Sequence, residues 1–131
     1  MILKFITVDD NAISNLLSQY IIEDVLPNAE VKTFTKAEEA LKYISTAYAS
    51  ANGVEVDTLL FLDINMPIMN GWQFLEAYDL LDEHIKNSIE IHMLSSSIDH
   101  RDIDYAAKNK YAVSFLGKPL TEEIVNRLAS I

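Results

Sequence analysis

The stretch 58-TLLFLDINMPIMNGW-72 decides how the chain is read. Thr58 to Leu62 is a near-continuous apolar run, the pattern of a strand covered on both faces of a parallel sheet. It delivers one carboxylate, Asp63, and then breaks at Asn65, Pro67 and Gly71. Asp63 is therefore either a turn former beside Pro67 and Gly71 or a reactive group displayed at a strand end. The rest of the chain decides between the two.

Working outward, apolar β-rich runs alternate with helical patterns. Strands are expected at Leu3–Val8, Glu30–Phe34, Thr58–Leu62, Ile89–Leu94 and Tyr111–Leu116. A first helix is expected to bury Ile13, Leu16, Leu17, Tyr20 and Ile21, which recur at helical spacing. Thr35 and Glu38 read as a capping box for a second, with Ala37, Ala40, Leu41 and Ile44 on its face. A third carries Phe74, Leu75, Tyr78 and Leu81. The fourth, over "DHRDIDYAAKN", is polar, with only Ile103, Ala106 and Ala107 as an apolar stripe. Thr121 caps a last helix carrying Ile124, Val125 and Leu128, with Glu122 and Glu123 in its first turn. Five strands alternating with five helices imply right-handed crossovers and a parallel sheet with helices on both faces. Sites in such folds lie at the carboxyl ends of the strands.

The 131 residues form one domain, 1–131, with half of them hydrophobic. No apolar run approaches the length of a membrane span, and "MILKFITVDD" lacks the pattern of a secretion signal. Cysteine is absent, which excludes disulfides and thiol chemistry and suits a reducing cytoplasm, the expected location. Net charge is −10, from 20 acidic and 10 basic residues. That balance disfavours direct nucleic-acid binding, which selects basic surfaces. It serves solubility or, if carboxylates cluster, holds a cation.

The strand ends carry the chemistry. The first ends in Asp9 and Asp10, the third in Asp63, the fourth in Ser95, Ser96 and Ser97, the fifth in Lys118 before Pro119. Singly, each has an ordinary use: Asp10 or Asn11 as a helix cap, the serines as a loop, Lys118 as a solvated cation. Together, on one sheet edge, they bring three acids, a hydroxyl cluster and an ammonium to one place. Packed carboxylates repel, so protonation or a cation must relieve them. An all-oxygen site with open water positions suits Mg²⁺. Aspartate is a nucleophile towards phosphorus, and phosphoryl transfer needs mainly positioning and charge compensation.

"VDDN" (Val8–Asn11), "FLDINMPIMNG" (Phe61–Gly71), "MLSS" (Met93–Ser96) and "FLGKP" (Phe115–Pro119) together resemble the receiver domain of two-component response regulators, of the stand-alone, chemotaxis-regulator-like kind. The resemblance implies a flavodoxin-like, doubly wound fold with strand order 2-1-3-4-5. It implies that Asp63 accepts a phosphoryl group from a phosphohistidine on a histidine kinase or histidine phosphotransfer protein. It implies Mg²⁺, or Mn²⁺, held by Asp9, Asp10, Asp63 and the backbone carbonyl of Asn65, with Asp10 the most direct ligand. Ser95 would bond a phosphoryl oxygen and move on activation, Lys118 would pair with the phosphoryl group, and Phe115 would be the switch aromatic. The Lys118–Pro119 bond is expected to be cis. Such a protein is a signalling phosphoacceptor that promotes only its own phosphorylation and dephosphorylation, and it acts by docking to a downstream protein target or by passing phosphate along a relay. The chain departs from the family pattern at Asn11, at Ser96 and in "KNKYAVS".

Three competing readings have specific signatures. An aspartyl-phosphate hydrolase would have an acid two residues after the nucleophile, where Asn65 stands. A flavin binder would need a hydroxyl- and glycine-rich loop where "DDNAIS" stands. A degenerate receiver would dock partners without phosphorylation. His84, His92 and His100 fall on different elements and are not expected to form a metal site. Trp72, Met66 and Met69 are expected to pack.

Overall fold

The computed structural model describes residues 2–97 and 99–130, so the ends of the 1–131 domain reading lie outside the described residues. The strands are β1 (Lys4–Val8), β2 (Glu30–Phe34), β3 (Thr58–Asp63), β4 (Ile89–Ser95) and β5 (Ala112–Gly117). The helices are α1 (Ala12–Val25), α2 (Ala37–Ala47), α3 (Gly71–Tyr78), α4 (Glu83–Lys86), α5 (His100–Lys108) and α6 (Glu122–Ala129). The sheet is parallel throughout, in the order β2-β1-β3-β4-β5. This is the expected doubly wound fold, with six helices where the sequence suggested five.

β3 explains why its run is unbroken. It lies between β1 and β4, with Leu62 opposite Val8 on one side and Met93 on the other. Every residue from Thr58 to Asp63 is buried. Alternate residues feed two cores. Leu60 and Leu62 join Ile44, Phe74 and Tyr78 on one face. Leu59 and Phe61 join Ile22, Leu116 and Val125 on the other.

Four local readings differ from the structure. The extra helix, α4, is one turn with a single buried residue, Ile85, too little apolar periodicity to detect. The Thr35–Glu38 capping box does not form. α2 takes Lys36 as its N-cap with no side-chain bond, one residue out of register with the box. The box belongs to α3, where Asn70 and Gln73 cap each other. α3 also stops at Tyr78, leaving Leu81 beyond it. Thr121 caps α6 as expected, accepting from the Ile124 N–H. Asn11, rather than Asp10, caps α1.

The fourth difference is the largest. α1 buries Asn15, Ser18 and Ile22. Four of the five stripe residues face solvent instead: Ile13 is 69 % exposed, Leu16 45 %, Leu17 53 % and Tyr20 60 %, while Ile21 is half-buried against the core as expected. Polar bonding sets this rotation. The Asn15 side chain accepts from Thr7 Oγ1 at 2.9 Å and donates to the carbonyls of Asp9 and Phe34 at 2.9 and 3.0 Å. Turning the stripe inward would strand the Thr7 hydroxyl and the Asp9 carbonyl, each at a cost of about 1–3 kcal/mol.

Two backbone features flank the sheet edge. Lys118–Pro119 is cis, and Ile68 has φ 69°, in the left-handed region, with its side chain 88 % exposed. A bulge on β5 inserts Val113 between the pairs Ile91–Ala112 and His92–Ser114, setting Phe115 opposite Met93.

The rotation of α1 predicts unequal costs along one helix. Leu17→Ser is expected to change stability by no more than about 0.5 kcal/mol, whereas Ile22→Ala is expected to cost about 2–5 kcal/mol. Urea denaturation of the two variants measures the difference, and comparable losses would contradict the placement of the stripe.

Candidate functional site

The parallel register brings the ends of β1, β3, β4 and β5 to one edge, where four of the expected residues, Asp9, Asp10, Asp63 and Lys118, meet. One carboxylate oxygen from each of Asp9, Asp10 and Asp63 lies within 4.8 Å of the other two. Asp9 and Asp63 are buried, each 6 % exposed, while Asp10 faces solvent. Lys118 Nζ sits 2.5 Å from Asp9 Oδ2 and 3.5 Å from Asp63 Oδ1. Its own backbone N–H donates to the Ser95 carbonyl at 2.8 Å, so the lysine is fixed by the β4 end.

The three acids are not equivalent. Asp9 has both oxygens engaged: Oδ1 accepts from the Asn11 N–H at 2.9 Å and Oδ2 from Lys118. Asp10 is on the open side. Asp63 lies between, and burial pushes its pKa from 3.8 up to about 6. The Asp9 charge adds to the rise, Lys118 opposes it, and Asp10 adds a smaller contribution. Three acids against one ammonium leave the mouth of the sheet electron-rich, and the all-oxygen donor set fits a hard divalent cation.

The loop after Asp63 is folded back on itself. The Gly71 N–H donates to the Ile64 carbonyl at 2.8 Å. A Cβ at Gly71 would lie 2.6 Å from the Asp63 carbonyl oxygen, so glycine is required by this approach. Asn65 is exposed. The Ser95 hydroxyl is buried and turned into its own loop, donating to the Ser97 carbonyl at 2.9 Å. Phe115 is half-buried against the core that contains Met93. Beside Lys118, an apolar groove of about 330 Å³ runs between α1 and the β5–α6 connection, lined by Leu17, Ile21, Leu94, Pro119 and Leu120 among others.

The histidines do not gather. His84 lies on α4, His92 in β4 and His100 on α5. His92 is a core residue, bonded through Nδ1 to Ser114 Oγ at 2.6 Å, and burial pushes its pKa down to about 4. Trp72 packs as expected, but it also bonds. Its indole N–H donates to Asp102 Oδ1 at 3.1 Å, and its ring lies 4.3 Å from that of Tyr105. It thus joins the start of α3 to α5, which buries only Ala106. Sequence reasoning missed Asn15, Asp102 and Tyr105. A lone Asn between Ile13 and Leu16 was the visible signal for the first. No spacing rule pairs Trp72 with residues thirty positions away.

With this geometry in hand, the comparisons with known proteins are unambiguous. The model of the response regulator receiver domain matches residues 5–129. The chain belongs to that family. Among solved structures, the receiver resembles a response regulator receiver protein from Dyadobacter fermentans, with 29 % identity, a TM-score of 0.84, and coverage of 95 % of this chain and 93 % of that one. A two-component response regulator from Cytophaga hutchinsonii gives 29 % identity, a TM-score of 0.83, and coverage of 95 % and 92 %. The chemotaxis response regulator CheY4 of Vibrio cholerae shares the fold at 23 % identity and a TM-score of 0.70, with 98 % and 96 % covered. Comparison with curated protein sequences gives no match. No helix among the described residues is long and apolar enough to cross a membrane.

The raised pKa of Asp63 carries a stability cost with a defined sign. Below pH 3.8 the carboxyl is protonated in folded and unfolded chains alike. Between 3.8 and about 6 the folded receiver keeps a proton the unfolded chain loses, so this group withdraws stability as pH rises. Asp63→Asn is therefore expected to stabilise the cation-free receiver by about 1–3 kcal/mol at pH 7–8, with most of the gain gone near pH 4. Denaturant titrations at the two pH values check it.

Proposed function

We propose that the receiver is a phosphoacceptor of a two-component or phosphorelay system. The carrying observation is Asp63: a buried carboxylate at the end of the central strand, within 3.5 Å of a lysine ammonium and inside a three-acid cluster. A buried acid with so little compensation is poorly suited to a purely structural role and well suited to taking up a charged group together with a cation.

In the reaction, a carboxylate oxygen of Asp63 attacks the phosphorus of a partner's phosphohistidine. The new O–P bond forms as the P–N bond breaks, and the imidazole leaves and takes up a proton. Asp9, Asp10, Asp63 and the Asn65 carbonyl would hold Mg²⁺ or Mn²⁺, which lowers the charge of the cluster and of the incoming phosphoryl oxygens. Asp10, on the open side, would be the most direct ligand, while Asp9 also holds Lys118. Lys118 shifts its ammonium from Asp9 towards a phosphoryl oxygen. Ser95 gives up its bond to the Ser97 carbonyl and donates to another. Phe115 follows inward, and the surface of α5, β5 and α6 changes for a downstream protein. Only a differential interaction of this kind can move a two-state element.

The phosphodonor is a histidine kinase or a histidine phosphotransfer protein. The exposed α1 stripe and the groove beside Lys118 offer it an apolar seat next to the acceptor. With a charge of −10, the receiver acts through proteins rather than nucleic acid. It is not an enzyme acting on a separate substrate, since the group it processes is its own.

Beryllofluoride, a phosphoryl mimic, tests the reading. With saturating Mg²⁺, the wild type is expected to bind it, with amide shifts reaching Ser95 and Phe115 and a change in Trp72 fluorescence. Asp63→Asn is expected to abolish binding. Asp10→Asn removes one charged ligand and is expected to weaken Mg²⁺ roughly tenfold or more, the equivalent of about 1.4 kcal/mol. No binding by the wild type would reduce the protein to a docking module without phosphorylation. For the output route, Phe115→Ala is expected to keep beryllofluoride binding but to lose the shifts on α5 and α6, and their persistence would remove Phe115 from the switch.

A further inference from the structure

The acid pair is held from behind by a side chain that touches neither the acceptor nor solvent. Asn15 is 4 % exposed, on the inward face of α1. Its amide donates to the Asp9 carbonyl at 2.9 Å and the Phe34 carbonyl at 3.0 Å. Its oxygen accepts from Thr7 Oγ1 at 2.9 Å. The Phe34 carbonyl also accepts from the Asp9 N–H at 3.0 Å. The ends of β1 and β2 and the first turns of α1 therefore meet on one amide.

The Asp9 carbonyl belongs to the peptide that links Asp9 to Asp10. Fixing that peptide plane removes one of the backbone rotations by which the two side chains could turn away from each other. The Asp9 N–H end is fixed by Phe34, and the Asp9 carboxylate by the Asn11 N–H and Lys118. Asp10 is oriented through the peptides on either side of it, the first held by Asn15 and the second by the bond from the Asn11 N–H to Asp9. A buried Asn is costly unless its groups are satisfied, and here an apolar stripe on the same helix is left in water while the amide faces inward. Hydrophobic burial alone would favour the opposite rotation.

We propose that Asn15 is the positioning residue for the acidic pair: it sets the Asp9–Asp10 peptide so that Asp10 faces Asp63, and thereby sets the affinity of the site for a divalent cation. The inference rests on the phosphoacceptor reading. Partners behind a metal ligand typically govern affinity as strongly as about 10–100-fold.

The test is isothermal titration of Mg²⁺ into folded protein, with stability measured in parallel. Asn15→Ala is expected to raise the Mg²⁺ Kd about tenfold or more. Thr7→Val, which removes only the bond that orients the amide, is expected to raise it about two- to tenfold, the worth of one neutral hydrogen bond, and serves if Asn15→Ala does not fold. Ile22→Val lies on the same buried face of α1, away from the acids, and is expected to lower stability while leaving Kd unchanged. Kd values within twofold of wild type for Asn15→Ala, or for Thr7→Val when it alone folds, would overturn the proposal. So would a rise in Ile22→Val equal to that of Asn15→Ala, because affinity would then merely follow stability. A wild type that binds no Mg²⁺ would overturn it together with the phosphoacceptor reading, whereas tight wild-type binding with an unaffected Asn15→Ala would overturn it alone.

Discussion

Everything at the working edge of this receiver follows from crowding three carboxylates against one ammonium. Like charges within 4.8 Å repel strongly where water is scarce. The fold therefore has to hold them there by means other than their own attraction. β3 does so by burying Asp63 at the end of a strand packed on both faces. The β4 end does so by fixing the Lys118 backbone through the Ser95 carbonyl. Asn15 and Asn11 do so for Asp9. The unrelieved charge has a physical consequence: a site that resists its own ionisation gains most when a cation arrives.

The parallel sheet makes the convergence possible. Its strands all point the same way, so residues far apart in the chain end at one edge. Much of this was legible beforehand. The unbroken run before Asp63 announced a central strand, and the acids, serine and lysine each followed a recognisable apolar run. Their partners across the edge could be named because alternating strands and helices allow few topologies.

What the sequence hid was decided by polar contacts between distant elements. Periodicity placed Ile13, Leu16, Leu17 and Tyr20 inward, because it weighs burial and takes no account of hydrogen bonds. The Asp9 carbonyl and the Thr7 hydroxyl needed partners, and Asn15 supplied them, so the helix turned the other way. Thr35 and Glu38 had the composition of a capping box, but the helix began one residue later. Trp72 read as a packing residue because Asp102, its bonding partner, lies on another helix. Its bond anchors α5, which has little burial of its own and leans on Trp72 and β5.

Ile68 places an opposing demand on the same loop. A β-branched residue with φ 69° is a steric outlier, and 88 % exposure means that no packing repays it. Glycine would adopt this backbone freely. The loop after Asp63 is thus a place where selection for thermal robustness alone would drift away from the present residue. A variant library screened only for heat resistance would be enriched in changes here, and the resulting molecules would reveal how far this loop has been shaped by something other than folding.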